Sequence, residues 1–368
     1  MARMCNMRPM RNLRPMTNRE RILAIIHGRE LDRVPFVQYS GLAAPDAEVW
    51  AEIGRDSMGL LRWTTVHRLE APNCRIAAED ISHEGHNAVR RVMTTPTGTL
   101  TERRRFEPTY GTAHIYEHFV KTADDFRALA GYFSDIRVVE DLSALARNRR
   151  ELGDDGLCLV NTGRTPFQQL WVQWCSLDDL VIGLAEEPDA VEECMAQMRR
   201  VQDEVFAIVA RSDAQLVDIG DNITAPAIGV RYFERYCVPA YQQLSGMLSE
   251  REQPVPLFVH MDGGLRPLHE AIARSGVGGI DSFSPPPDDD NPPGEAIAVW
   301  PWMRLLVNFP SSVHIQPPER VYDAAADLLQ QAGRSGRLQI QISENVPPGV
   351  WRTSFPQIVR AIRDFGRP

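Results

Sequence analysis

Lysine is almost missing from this 368-residue chain, and Lys121, in "HFVKTADDF", is the only one. A Schiff-base mechanism would have to rest on that residue, which sits where a helix pattern begins, so lysine chemistry is set aside. The chain also lacks a CxxC pair. Its six cysteines, at 5, 74, 158, 175, 194 and 237, follow no regular spacing. That gives neither a disulfide framework nor a thiolate zinc site, and it suits the reducing cytoplasm. No apolar run approaches the roughly 18 residues needed to span a bilayer, so no membrane partner is expected. Positive charge is in deficit: the formal net charge is −9, whereas a nucleic-acid binder carries a basic face. There is no GxSxG, hence no serine in a nucleophile elbow.

What remains is the composition of a globular protein, 43% hydrophobic and 24% charged, in a chain long enough for one large domain or two ordinary ones. The first sixteen residues, "MARMCNMRPMRNLRPM", hold four arginines and no acid. They lack the apolar core of a signal peptide. They read as a disordered basic tail or an upstream start, which leaves residues 17–368 as the folded domain.

Short β-rich runs alternate with helical patterns. "VPFVQY" (34–39), "GLLRWTTV" (59–66), "LCLVNTG" (157–163), "QLVDIGDN" (215–222), "PLFVHMD" (256–262), "GIDSFSPP" (279–286), "LLVNFP" (305–310) and "LQIQISEN" (338–345) read as eight strands. Strands alternating with helices imply a parallel sheet, and eight such units fit an α/β (β/α)₈ TIM barrel behind an N-terminal helix. Residues 74–120 break the alternation. There "TPTGTL" reads as a turn between antiparallel strands, a β-rich insertion between the second and third barrel strands.

In such barrels the site lies at the C-terminal ends of the strands. Those ends carry Gln38 and Tyr39, His67, Asn161 with Arg164, Asp221 with Asn222, His260 with Asp262, Asp281, Asn308, and Glu344 with Asn345. Three of them have metal-ligand chemistry: His260, Asp262 and Glu344, a histidine and two carboxylates that leave positions open on a divalent cation. The alternative is a hydrogen-bonded barrel histidine beside a turn aspartate that precedes Gly263 and Gly264. Arg164 and Gln168 follow the third strand, where they can meet a substrate anion or an internal carboxylate. The "SGVGG" run (275–279) reads as a helix end, His83 and His86 as surface histidines, and "PDDDN" as a solvated loop or a lid.

Several stretches then resemble a known family. "TNRERILAIIHGRELDRVPFVQY" (17–39), "TTPTGTLTERRRF" followed by "HFVKTADDFRAL", and "GDNITAPAIGVRYFERYCVPAYQQL" (220–244) are similar, in that order, to the uroporphyrinogen decarboxylase superfamily. That superfamily includes the cobalamin-dependent methyltransferases. The resemblance implies a TIM barrel, in agreement with the strand count. The decarboxylases bind tetrapyrrole carboxylates with an arginine pair after the first strand; here that place reads "VQYSGLAAP", without arginine. The methyltransferase branch holds zinc on an H-x-C pair ending the fifth strand and a cysteine ending the eighth. By position His260 matches the histidine, while Asp262 and Glu344 stand where the cysteines would be. Carboxylates make a harder site, suited to oxygen ligands rather than to a thiol acceptor.

The resemblance therefore implies a corrinoid-dependent methyltransferase. It would move a methyl group from a small methylated donor, such as a methyl ether in an O-demethylase, to a corrinoid (cobalamin) protein. A divalent metal, with zinc first, would be held by His260, Asp262 and Glu344 and would act as a Lewis acid. Asp221 and His260 are the candidate catalytic residues, and Gln38, Tyr39, Asn161, Arg164 and Asn222 the candidate substrate contacts. An oligomer is compatible with the sequence. The alternatives are a decarboxylase-like lyase and a barrel that binds a ligand without catalysis.

Overall fold

The computed structural model describes residues 14–83, 87–110 and 112–367. Eight parallel strands close into a barrel: β1 (Phe36–Tyr39), β2 (Gly59–Thr64), β3 (Gly156–Asn161), β4 (Val217–Ile219), β5 (Leu257–His260), β6 (Gly279–Phe283), β7 (Arg304–Asn308) and β8 (Leu338–Ile342). They pair in chain order, and β8 closes on β1 with Phe36 beside Ile340. The TIM barrel expected from the sequence is therefore the fold.

Strand parity sorts the side chains into two cores. Outward residues such as Leu257, Val259, Leu305, Val307, Leu338 and Ile340 pack under the surrounding helices. Their neighbours Val37, Leu61, Leu159, Leu216, Phe258 and Leu306 fill the lower barrel. Successive residues of a strand face opposite sides, so Phe258 inside places His260 inside as well. The "SGVGG" glycines serve this packing. A Cβ on Gly279 would collide with the Phe258 ring, and one on Gly278 would stand 2.6 Å from Pro256 Cβ.

The helix Asn18–His27 plugs the bottom of the barrel. Thr17 caps it through a capping box with Glu20, and Gly28 ends it in the left-handed conformation. Its Ile22, Ile25 and Ile26 join the inner core. Arg21 on the same helix is buried and pairs with Asp32 at 2.8 Å and Asp56 at 3.0 Å. Of the basic tail, residues 1–13 lie outside the described residues. Within it, Met16 N donates to Asp32 at 3.0 Å and Arg14 pairs with Glu20.

Between β2 and β3 lie a four-stranded antiparallel sheet (Arg75–Asp80, Ala88–Thr95, Gly98–Phe106, Ala113–Glu117) and a second antiparallel pair, His67–Glu70 with Arg137–Glu140. His67 belongs to that pair and not to the barrel mouth. Lys121 donates to the carbonyls of Thr101 and His118 at the base of the sheet. His83 is exposed, and His86 lies outside the described residues.

Candidate functional site

The upper barrel is polar where the lower barrel is apolar. Tyr39, Trp63, Asn161, Asp218, His260, Asp281, Asn308 and Gln341 occupy the inward positions nearest the C-terminal strand ends, each two residues beyond an inward neighbour or at matching parity. Above them opens a pocket of about 380 Å³, lined by Trp63, Asn161, Arg164, Gly220, Asn222, His260, Ser343 and Glu344. That is the face on which barrels of this kind carry their chemistry.

His260, Asp262 and Glu344 come together there, with one potential ligand atom from each lying within 4.8 Å of the other two. His260 Nε2 is 3.5 Å from Asp262 Oδ2. The other ring nitrogen, Nδ1, faces Asp281 Oδ2 at 3.1 Å and the Tyr39 hydroxyl at 3.3 Å. Asp281 is fully buried; Tyr39 OH donates to it at 2.5 Å and Gln341 Nε2 at 2.8 Å. A carboxylate on Nδ1 keeps a proton on that nitrogen and leaves Nε2 facing Asp262 and the pocket, the nitrogen that a metal would take in exchange for its proton. This is the carboxylate–histidine arrangement common behind metal-bound histidines. Asn222 Nδ2 fixes Asp262 Oδ2 at 2.7 Å. Ser343, just before Glu344, donates from its backbone N and its hydroxyl to Asn308 Oδ1 at 3.1 Å and meets the Ser282 hydroxyl at 2.5 Å.

The donor set fits a divalent metal. Bonds of about 2.0–2.2 Å set tetrahedral ligands about 3.3–3.6 Å apart, so donors that lie within 4.8 Å of one another would close by about 1 Å or a little more at the widest pair, within reach of side-chain adjustment. The electrostatics fit as well. Burial alone disfavours a charged His260, but its bonds to Asp262 and Asp281 outweigh that and raise its pKa well above the usual value. Burial pushes Asp262 up, and His260 and Asn222 more than compensate, leaving it below the ordinary range. Burial and the charge of Asp262 raise Glu344. Two acids and an imidazolium so arranged are a site where a cation can replace a proton.

The other expected residues divide. Asn161, Arg164 and Asn222 reach the pocket wall. Arg164 Nη2 donates to Asn222 Oδ1 at 2.7 Å, and Asn161 is held by Asp218 at 3.2 Å and by Gly163 N at 2.8 Å. Tyr39 lies behind His260 rather than on the pocket surface. Gln38 faces the opposite side of β1, where its Nε2 donates to Asp46 at 2.7 Å. Asp221 is fully buried and turned away from the pocket. It accepts from Thr165 N at 2.6 Å, Thr165 Oγ1 at 2.9 Å and Tyr241 OH at 2.5 Å. Burial pushes its carboxyl up to about 6, yet every one of these bonds is structural: it anchors the loop that carries Arg164. Gln168 belongs to the same buttress, donating to the Asp221 carbonyl at 2.6 Å. The acidic loop is built in rather than merely solvated, since Asp290 accepts from Leu265 N at 3.0 Å and Asp288 from Ser312.

Reading strand ends left Asp218, Trp63 and Ser343 unassigned and gave Asp281 no role. Asp218 is fully buried; burial and the charge of Asp281 raise its pKa well above the ordinary value, and its Oδ1 has no hydrogen-bond partner. Parity with Leu216 would have placed it inside, as parity with Leu61 would have placed Trp63.

No curated protein matches the sequence. Among solved structures, a methyltransferase from Methanosarcina mazei has this fold, with a TM-score of 0.57 over 95% of this chain and 99% of that one at 13% sequence identity. The family profile described as Uroporphyrinogen decarboxylase (URO-D) matches residues 114–365. That stretch is more than half of the chain and holds six of the eight strands together with His260, Asp262 and Glu344. By that match, on a barrel built as described, the chain belongs to the uroporphyrinogen decarboxylase family.

Proposed function

We propose that this protein is a methyltransferase that takes a methyl group from a small O-methyl compound and passes it to a corrinoid protein, using a divalent metal, zinc first, held by His260, Asp262 and Glu344. The observation that carries the reading is the convergence of those three donors within 4.8 Å beside the pocket. The methyltransferase from Methanosarcina mazei with the same fold supports it. When bound, the metal supplies Lewis acidity to an ether oxygen, whose alkoxide or phenoxide is otherwise a poor leaving group.

The chain's own residues do the positioning. Asp281 and Tyr39 hold the His260 ring, Asn222 holds Asp262, and the bonds of Ser343 fix the peptide that presents Glu344. Asn161, Asn222 and Arg164 line the pocket and orient the donor. The pocket is open to the outside at the C-terminal strand ends, and a corrinoid protein docked at that mouth would supply the methyl acceptor. A tetrapyrrole decarboxylase is disfavoured. Among the described residues Arg164 is the one arginine on the pocket wall, and about 380 Å³ is near the lower end of the roughly 300–1,000 Å³ of small-molecule sites.

Zinc titration of the purified protein, followed by methyl-transfer assays with O-methyl donors and a reduced corrinoid protein, tests the reading. Wild type should bind about one metal per chain, and His260→Ala should lose both metal and transfer while keeping its circular dichroism. Stoichiometric metal on His260→Ala, or efficient transfer to a free thiol by the wild type, would overturn it.

A further inference from the structure

Arg164 is a cation without a counter-ion in contact. Among the described residues no carboxylate lies within ion-pair distance of its guanidinium, whereas Arg21, Arg55, Arg62, Arg149, Arg235 and Arg266 are each paired. Its one side-chain hydrogen bond is from Nη2 to the neutral amide of Asn222. Its Nε is buried and has no partner. A buried N–H left unsatisfied is costly and uncommon in native proteins.

The loop nevertheless holds Arg164 firmly in place. Gln202 donates to its carbonyl at 3.1 Å, and the next residue, Thr165, is anchored twice on Asp221. Arg164 lines the pocket together with Trp63. Trp63, next to last in β2, has 40% of its surface exposed, an uncovered indole in an otherwise polar mouth. Its ring meets that of Tyr39 edge-on at 5.1 Å and lies 6.4 Å from that of His260. The pocket thus offers a guanidinium fork, a flat apolar face, and the three-donor cluster that includes His260 and Glu344.

We propose that the methyl donor is a small acid: its carboxylate is taken by Arg164, its apolar body lies on Trp63, and its methylated oxygen reaches the His260–Asp262–Glu344 cluster. The proposal rests on the methyltransferase reading for the role of the methyl group, but not for the binding of the acid. A guanidinium presents parallel N–H donors that match a carboxylate. A carboxylate entering from the pocket meets the Nη groups first, and a small turn of the fork toward it would bring the buried, unpartnered Nε into the pair as well. The contact partner of Arg164, Asn222, is neutral, and Asp221, Asp262 and Asp218 act on the charge only from beyond contact, which leaves the fork itself open to a ligand.

Calorimetric titration with paired probes tests this on the full chain, with no corrinoid protein present. The pairs are 4-methoxybenzoate with 4-methoxybenzamide, and methoxyacetate with methoxyacetamide. At least one acid should bind about tenfold or more tightly than its amide, as expected for one charge-assisted pair, and should quench Trp63 fluorescence relative to Trp63→Leu. Arg164→Gln should erase the preference for the acid, and Arg164→Lys should restore part of it, which a merely structural role for Arg164 would not do. Equal affinity for acid and amide in both pairs, or a preference that survives in a folded Arg164→Gln, would overturn the proposal. Arg164-dependent binding of the acid without methyl transfer would refute the proposed function and leave this inference standing. Transfer from neutral ethers with no preference for acids would do the reverse.

Discussion

At the scale of single residues, the site depends on what stands behind each ligand. His260 can offer Nε2 only if its ring is held in one orientation and its other nitrogen carries the proton. Asp281 does both at 3.1 Å, and it is itself fixed by Tyr39 and Gln341. Burial, and then the charge of Asp281, keep the Tyr39 phenol protonated far above its ordinary range, so it remains a donor. Outer-shell partners of metal histidines typically contribute about 10–100-fold in affinity. Asp281→Asn should therefore weaken zinc binding by a factor in that range, less than the complete loss in His260→Ala. Competition with a colorimetric chelator would measure it, and unchanged affinity would show that the ring is oriented by something else.

At the scale of elements, the glycine pair after Asp262 explains why β5 can end as it does. Met261 N continues toward Asp281 O at 3.0 Å, and the chain then turns across the β4 loop, with Gly263 N donating to Ile223 O at 3.1 Å. A Cβ on Gly263 would stand 2.9 Å from Thr224 Cα and collide with the Thr224 side chain. Gly263→Ala should destabilise the protein by about 1–3 kcal/mol, the usual cost of forced overpacking. Because it pushes apart the loops that carry Asp262 and Asn222, it should weaken metal binding too. Urea unfolding and zinc titration would measure the two effects, and a neutral result in both would refute the close-approach argument. The same elements show how far the sequence was legible. All eight barrel strands were visible, because apolar runs between helix patterns survive any detail of side-chain packing. The His260, Asp262 and Glu344 cluster was visible because it sits at the ends of two well-marked strands. Gln38 and Asp221 stand away from the mouth for a geometric reason. Tyr39 and Gln38 are neighbours on one strand, so they cannot both face the mouth. β4 stops at Ile219, and Asn222 takes a positive φ of 54°. Strand parity lapses at such a turn, and the chain carries Asp221 into the wall instead of the pocket.

At the scale of the whole molecule, two buried groups far apart in sequence make stability depend on pH in opposite senses. His314 follows β7 and binds Ser354 on the C-terminal helix (Trp351–Phe365) at 2.8 Å, packed between Phe309 and Phe355. Burial pushes it down to about 4 from 6.5. Between those values the unfolded chain binds a proton that the folded chain refuses, so stability falls as pH drops from 6.5 toward 4. Asp221 is raised from 3.8 to about 6 chiefly by burial. There the folded chain holds the proton that the unfolded chain has lost, so its contribution falls as pH rises from 3.8 to about 6 and is flat above. Shifts of this size correspond to about 3 kcal/mol each at 1.36 kcal/mol per unit, and over most of the shared window they oppose one another. Replacing one should expose the other. The stability of wild type minus that of His314→Gln, from urea unfolding at successive pH values, should increase by about 3 kcal/mol between pH 4 and 6.5. The same difference for Asp221→Asn should decrease by a similar amount between pH 3.8 and about 6. Taking differences cancels the many surface carboxylates that titrate alike in wild type and variant. A flat difference for His314→Gln would mean that the ring is protonated inside the fold and that its neighbours, Ser354 among them, accommodate the charge.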